Sequence, residues 1–367
     1  MNTVCDEKMC SGCRACINVC SQKAIEIIET ISEYNAVINL DKCINCNACR
    51  KVCQYNVQPK FRTSIFWKQG WAKEDGSRNK SSSGGLAYEI EKGFVESKGR
   101  VYSCIFKDGE FQFSCIDKVE ELEELRGSKY VKSNPKYVYR EIAENLKKGF
   151  KVLFVGLPCQ VASLVNFVGD NENLYTIDLI CHGTPSPLLL QEYLLDHSMK
   201  LENIFTIKFR DNHNFHLEIN NSSLSGKRIL DSYMLVFLRG CSYTENCYYC
   251  KFARKERISD VTLGDSWGSM LSVNEQRKGI SLILANTEKG RWMINNSAVE
   301  LRDVDLENAI RNNQQLNHPT SLPLEREKFF DNIYKGKSFE SAVIRAYPIQ
   351  HVKNIVKRVM IRMKLLK

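Results

Sequence analysis

The residues with the clearest chemistry are cysteines, and their spacing repeats. Cys10-x2-Cys13-x2-Cys16-x3-Cys20 recurs as Cys43-x2-Cys46-x2-Cys49-x3-Cys53. Three thiolates two residues apart, completed by a fourth from elsewhere, wrap a 4Fe-4S cubane, because the tight loop aims successive sulfurs inward and leaves backbone N–H groups near the sulfides. In two-cluster modules of this kind the fourth cysteine of each run serves the other cluster. On that rule Cys10, Cys13, Cys16 and Cys53 bind one cluster, and Cys43, Cys46, Cys49 and Cys20 bind the second. A pair of zinc sites is the competing reading of C-x2-C pairs, and two full four-cysteine rhythms weigh against it. Ser21 and Gln54 follow the fourth cysteines where proline is usual, a departure that bears on loop geometry and potential, not on ligation. Cys5 is left as a spare thiol.

A second constellation lies at Cys241-x5-Cys247-x2-Cys250. Three clustered cysteines need a fourth ligand, and Cys159 and Cys181 each directly follow a predicted strand. In an α/β sheet such strand ends face the ligand crevice. Soft thiolate ligands at this spacing fit a third 4Fe-4S cluster, with zinc or plain structural thiols as alternatives. Ser83-Gly84-Gly85 opens a helical stretch, where glycines admit a phosphate or a flat cofactor and the free N–H groups favour an anion. The same residues serve equally as an ordinary cap.

The elements that must position these residues fall into three runs. Up to about Val57 the chain is a duplicated loop, helix and strand, with short strands at Ala24–Ile28 and Ala36–Leu40. A polar connector ends in Ser81-Ser82-Ser83-Gly84-Gly85. Then Leu86–Ser97 has helical spacing, Val101–Phe106 and Glu110–Ile116 read as a hairpin about Asp108-Gly109, and 117–126 and 135–148 look helical. From Lys151 strand and helix alternate: Lys151–Val155, Pro158–Val168, Leu174–Ile180, 187–199. That pattern predicts an α/β layer, joined by strands at Val261–Leu263 and Ser281–Asn286, with helices after Asp303. Lys208–Gly240 carries no clear pattern. Cys104 and Cys115, on the hairpin, read as packing residues.

At 367 residues the chain exceeds one typical core. Sixteen cysteines in a chain this long, opening on a polar segment without signal-peptide character, predict a reducing, cytoplasmic compartment. No run reaches the length of a membrane-spanning helix. The net charge is +9, and six basic and no acidic residues fall between His351 and Lys367. There Val352, Ile355, Val356, Val359, Met360 and Met363 form a helical stripe. Such a tail suits either packing on the protein or peripheral contact with an anionic membrane; without a reader motif, nucleic acid is not expected.

In order along the chain, Ser82-Ser83-Gly84-Gly85, Gly127-Ser128-Lys129-Tyr130-Val131, Gly156-Leu157-Pro158-Cys159-Gln160, the run from Asp178 through Cys181-His182-Gly183 to Pro187, Cys247-Tyr248-Tyr249-Cys250-Lys251-Phe252, the run from Ser259 through Asp265 to Gly268, and Lys278-Gly279-Ile280-Ser281 resemble the beta subunits of the deazaflavin-coenzyme (F420) hydrogenases and dehydrogenases, here with a ferredoxin module in front. The resemblance covers roughly residues 60 to 290. It implies a flavin, usually FAD, beside a 4Fe-4S cluster, so that a two-electron hydride carrier exchanges with one-electron clusters. By similarity Ser83, Gly84, Gly85, Ser128, Lys129 and Tyr130 are flavin-site residues, with Lys129 opposite negative charge. Trp267, Asp265 and His182 are read either as site residues or as structural ones, and no catalytic base is named. Relatives of this layout are also associated with surface-polysaccharide genes, so the hydride partner stays open.

These readings give an α+β chain: a ferredoxin module over 1–58, a flavin-binding region over 59–149, an α/β domain with a third cluster over 150–302, and a helical, basic extension over 303–367. The expected function is an iron–sulfur flavoprotein oxidoreductase exchanging electrons with a redox-protein partner and with the deazaflavin coenzyme or another hydride carrier. The alternative is a flavin-free electron carrier feeding a partner enzyme.

Overall fold

The computed structural model describes residues 2–211, 214–224 and 229–363. Its first module is two copies of one unit. Helix α1 (Ala15–Val19) and the antiparallel pair β1 (Ile25–Glu29) and β2 (Tyr34–Ile38) are followed by α2 (Ala48–Val52). Both helices start from a left-handed residue, Arg14 at φ 60° and Asn47 at φ 58°, so the two cysteine loops turn in the same way.

The remaining chain is built on one eight-stranded sheet. In chain order its strands are β3 (Phe66–Ala72), β4 (Arg100–Lys107), β5 (Glu110–Ile116), β6 (Val152–Val155), β7 (Leu174–Leu179), β11 (Val261–Asp265), β12 (Ser281–Ala285) and β13 (Val299–Arg302). Their spatial order is β13-β3-β12-β11-β7-β6-β4-β5. The centre, β4, β6, β7 and β11, is parallel, and the outer pairings are antiparallel. Every residue of β6 is buried, as an apolar run covered on both faces requires. The sheet therefore draws strands from both sides of residue 150. Strand β3 lies in the stretch read from sequence as polar connector, paired with β12 and β13.

Helix α3 (Asp75–Asn79) leads into α4 (Leu86–Glu96), which packs Leu86, Ile90 and Phe94, one residue per turn, onto the sheet. Helices α5 (Val138–Lys147) and α6 (Pro158–Val168) cover the opposite core with Tyr139, Ile142, Val161 and Leu164. The unclear segment after Lys208 forms a small second sheet, β8 (Ile207–Asp211), β9 (Asn214–Ile219) and β10 (Ser222–Ser223). It shares an aromatic core with the helices at Ser232–Leu238, Glu325–Tyr334 and Phe339–Ala346. The α+β class and the helical tail, ending in Pro348–Arg362, are as the sequence predicts. No helix among the described residues is long and apolar enough to cross a membrane.

Candidate functional site

The cysteine loops present their sulfurs to backbone N–H groups: Gly12 N lies 3.5 Å from Cys10 Sγ, Ala24 N 3.4 Å from Cys20 Sγ and Asn45 N 3.4 Å from Cys43 Sγ. Such contacts stabilise thiolate charge. Cys20, Cys43, Cys46 and Cys49 line one cavity of about 180 Å³ together with Ile25, Ile38, Leu40 and Ile44. Cys10 and Cys53 act electrostatically on Cys13, and Cys10, Cys13 and Cys53 on Cys16, so these four lie together, and all four are buried. The thiols thus fall into two sets, each of three cysteines from one loop and the last cysteine of the other. The first set is deep, whereas Cys46 is exposed beside the exposed Leu40 and Ile44. Cys5, unassigned from sequence, is buried beside Cys10 and Cys53, both of which raise its pKa.

The module is fastened to the rest of the chain near these loops. Asn18 Nδ2 donates to the Lys136 carbonyl at 2.7 Å, Glu245 N to the Ser32 carbonyl at 2.9 Å, and Ser163 Oγ to Cys13 Sγ at 3.0 Å.

Four further thiols gather at the carboxyl ends of β6 and β7. Cys159 opens α6, Cys181 follows β7, and Cys247 and Cys250 come from the loop whose Thr244 N donates to the Thr184 carbonyl. Cys159 and Cys181 both feel Cys247 and Cys250 electrostatically. Burial, then the neighbouring thiols, pushes Cys181 up to about 12, and burial pushes Cys250 up to about 11. Thiols this deep ionise only beside strong positive charge, which a cluster's iron would supply. Among the described residues no three His, Cys, Asp or Glu side chains converge on a single-ion site; a cubane spreads its thiolates over a larger body than one ion.

Cys241 stands apart from these four. Fully buried in the aromatic core, it has Tyr347, Arg326 and Glu325 as its electrostatic neighbours. Gly240, at φ 65°, turns the chain between the preceding helix and Cys241. Cys247 packs against the same core, but the groups that act on Cys241 are Tyr347, Arg326 and Glu325 rather than the four thiols.

Beyond Cys181 opens a cavity of about 500 Å³, within the range of small-molecule sites. Ser83, Gly85, Ser128, Lys129 and Tyr130 line it, as do Cys181, His182, Asp265 and Trp267. Gly84 does not: a Cβ there would lie 2.4 Å from the Gly70 carbonyl, so this glycine lets the loop cross β3 closely. Gly85, at φ 84°, is the N-cap of α4, whose first turn faces the cavity. An eleven-residue helix N-terminus with Lys129 and Arg126 nearby suits an anionic group. Lys129 Nζ is held 2.7 Å from the Leu125 carbonyl and 3.0 Å from that of Arg126, and burial lowers its pKa.

The opposite wall is aromatic; Tyr130, Trp267 and Asp265 were candidates from sequence, whereas Phe215, Phe237 and Arg210 were not. Tyr130 stacks on Phe237 at 4.4 Å, and its hydroxyl accepts from Arg210 Nη1 at 3.1 Å. Arg210 forks onto Asp265 at 2.6 and 3.0 Å and lies over Phe215 and Trp267. Asp265 thus anchors a buried guanidinium. His182 sits in the same wall with its pKa lowered by burial, an effect that Asp265 opposes.

Glu91, five residues into α4, also reaches the cavity although it is only 4% exposed. Burial pushes its carboxyl up to about 7, against the pull of Lys129, a Ser103 hydrogen bond and Arg126. A carboxyl raised in the fold favours folding when protonated, so its contribution is complete at low pH and is lost as pH rises from about 4.5 through 7. The loss is on the order of 3 kcal/mol by pH 8, at 1.36 kcal/mol per unit. Melting wild type and Glu91→Gln in parallel should show near-equal stability at pH 5 and the variant ahead at pH 8. A gap that does not change with pH would place the Glu91 titration outside this range.

Two interleaved cysteine loops, four more thiols at the strand ends and a cavity behind them define an iron–sulfur electron-transfer protein. Residues 149–309 match the family described as the C terminus of the coenzyme F420 hydrogenase/dehydrogenase beta subunit, and residues 9–57 match the 4Fe-4S dicluster domain. The chain thus joins a 4Fe-4S dicluster domain to a region that matches the C terminus of the F420 hydrogenase/dehydrogenase beta subunit. It is 26% identical over 324 residues to the coenzyme F420-dependent sulfite reductase of Methanocaldococcus jannaschii, covering 84% of this chain and 48% of that protein. The chain thus spans about half the length of this curated relative. A chain from a xenon-derivatised structure of the F420-reducing NiFe hydrogenase complex of Methanosarcina barkeri aligns with TM-score 0.48 and 15% identity, over 76% of this chain and 96% of that one.

Proposed function

We propose that the chain is an iron–sulfur flavoprotein oxidoreductase with three 4Fe-4S clusters in series. Cys20, Cys43, Cys46 and Cys49 hold the outer one, Cys10, Cys13, Cys16 and Cys53 the middle one, and Cys159, Cys181, Cys247 and Cys250 the inner one. A flavin, FAD by family resemblance, would occupy the cavity and supply the exchange between paired and single electrons. The observation that carries this reading is Cys181, which belongs to the inner thiol group and also lines the cavity. The first turn of α4, Ser128 and Lys129 would bind and orient the anionic part of the ligand. Glu91 and His182 can hold or move a proton at the wall, and the aromatic wall of Tyr130, Phe215 and Trp267 excludes water and offers a flat face to a hydride carrier, the deazaflavin coenzyme or another.

Exposed Cys46, Leu40 and Ile44 offer a redox-protein partner an apolar contact at the outer cluster. At the other end of the chain Val352, Ile355, Val356 and Val359 are exposed on the basic helix, which supports peripheral membrane contact; Lys364 and Lys367 lie outside the described residues. A role in surface-polysaccharide metabolism rests on family resemblance alone.

Iron, zinc and flavin content of anaerobically purified protein tests the reading. About twelve irons and one flavin per chain, with a spectrum bleached by dithionite, are expected. About eight irons without flavin would favour the carrier that feeds a partner enzyme, and zinc in place of iron would remove both.

A further inference from the structure

Lysine is among the residues least often buried without a purpose, yet Lys132 is 3% exposed. Its Nζ donates to the Ser11 carbonyl at 3.1 Å, beside Cys10, and its stem packs where Gly12 has no side chain. Its own N–H donates to the Pro185 carbonyl at 2.9 Å, in the loop that follows Cys181. The next residue, Ser133, accepts through both its carbonyl and its hydroxyl from Gln160, the neighbour of Cys159. Lys132 therefore stands where the ferredoxin module meets the inner thiol group. Its positive charge acts on Cys10, Cys159 and Cys181 alike.

We propose that Lys132 is a buried cation shared by two clusters, the middle one at Cys10, Cys13, Cys16 and Cys53 and the inner one at Cys159, Cys181, Cys247 and Cys250, and that it raises the reduction potential of both. The inference rests on the three-cluster reading above. An electron added to either cluster increases its negative charge, which a nearby cation in a poorly screened interior stabilises. One charge acting on both keeps their potentials together. Transfer between them oxidises one and reduces the other, with no bond made or broken and no proton moved, so matched potentials and a short path suffice. The path is present in α6: Ser163, one turn beyond Cys159, places its hydroxyl 3.0 Å from Cys13 Sγ and 2.9 Å from the Cys159 carbonyl. The cavity of the outer cluster, ringed by Cys20, Cys43, Cys46 and Cys49, is lined only by residues of the first module and by none from this loop.

The test is a potentiometric titration followed by electron paramagnetic resonance on the full-length, cluster-loaded protein, comparing wild type with Lys132→Gln, Lys132→Met and Lys132→Arg. The outer signal is assigned by its loss in Cys46→Ser. Removing the charge should shift the reduction equilibrium of the middle and inner clusters about tenfold toward the oxidised state, 59 mV for one electron, leave the outer cluster in place, and be reversed in Lys132→Arg. Lys132→Met keeps the stem's packing, so agreement of Met with Gln assigns the shift to charge. Unchanged potentials at full iron content overturn the proposal, as does a shift confined to one cluster or one that Arg does not restore. Wild-type protein with only about eight irons overturns it together with the three-cluster reading, and so separates the two failures.

Discussion

Replacing Cys181 by Ser should remove about four irons per chain, whereas Cys241→Ser should remove none. Both cysteines were candidates for the third cluster on spacing, and the fold separates them. Cys181 follows β7 next to Cys159, Cys247 and Cys250, and burial raises the pKa of Cys159, Cys181 and Cys250, which favours the protonated thiols unless iron compensates the charge. Losing one thiolate of four leaves a cubane with an open corner. Cys241 instead fills a place in the aromatic core, where a hydroxyl replaces a sulfur that touches Tyr347. That change costs packing, on the order of 1 kcal/mol, and leaves cofactor content alone. Because Cys181 also lines the cavity, its variant should perturb the absorption of any flavin bound there, and Cys241→Ser should not. Equal iron loss in the two variants would return Cys241 to the ligand set and break the grouping of four.

The difference between these two cysteines shows which information was local. The ferredoxin loops were legible because ligand spacing within ten residues dictates their geometry. Cys159 and Cys181 were legible because each follows an apolar run, Val152–Val155 and Leu174–Leu179, and a parallel strand delivers its next residue to the crevice. Strand β3 was not: Phe66–Ala72 neither alternates nor runs apolar, and its partners β12 and β13 lie some two hundred residues away. Gly70 in that strand and Gly84 in the loop across it permit a contact that neither segment announces alone. Glu91 and Lys132 carry no signal in the sequence, since burial of a charged residue is a property of what packs over it. The pairing of Arg210 with Asp265 brings together residues from β8 and β11, and no spacing rule connects them.

Arg257→Met should cost about 3–5 kcal/mol and loosen the inner cluster before the ferredoxin pair. Arg257 is 2% exposed and Asp178, its ionic partner at 3.0 Å, is fully buried. The guanidinium is nearly saturated: Nε donates to Thr262 Oγ1 at 3.2 Å, Nη1 to the Phe252 carbonyl at 2.9 Å and Nη2 to the Leu179 carbonyl at 3.1 Å. The approach of Nη2 to Asp178 Oδ2 lacks hydrogen-bond geometry and acts as charge on charge, while Oδ1 accepts from Thr262 at 2.5 Å. Phe252 is two residues past Cys250 and Leu179 two residues before Cys181, so one side chain sets the spacing between two proposed ligands. Removing it strands a buried carboxylate and frees both loops, and that uncompensated charge dominates the cost. The comparison that isolates it is Asp178→Leu combined with Arg257→Met, where neither charge remains and much of the stability should return. Iron content should return only in part, because Met cannot hold the two carbonyls. Anaerobic melting of the single and double variants, with iron measured in each, separates the charge from the tether: a single variant as stable as wild type would deny the first, and full iron in the double variant would deny the second.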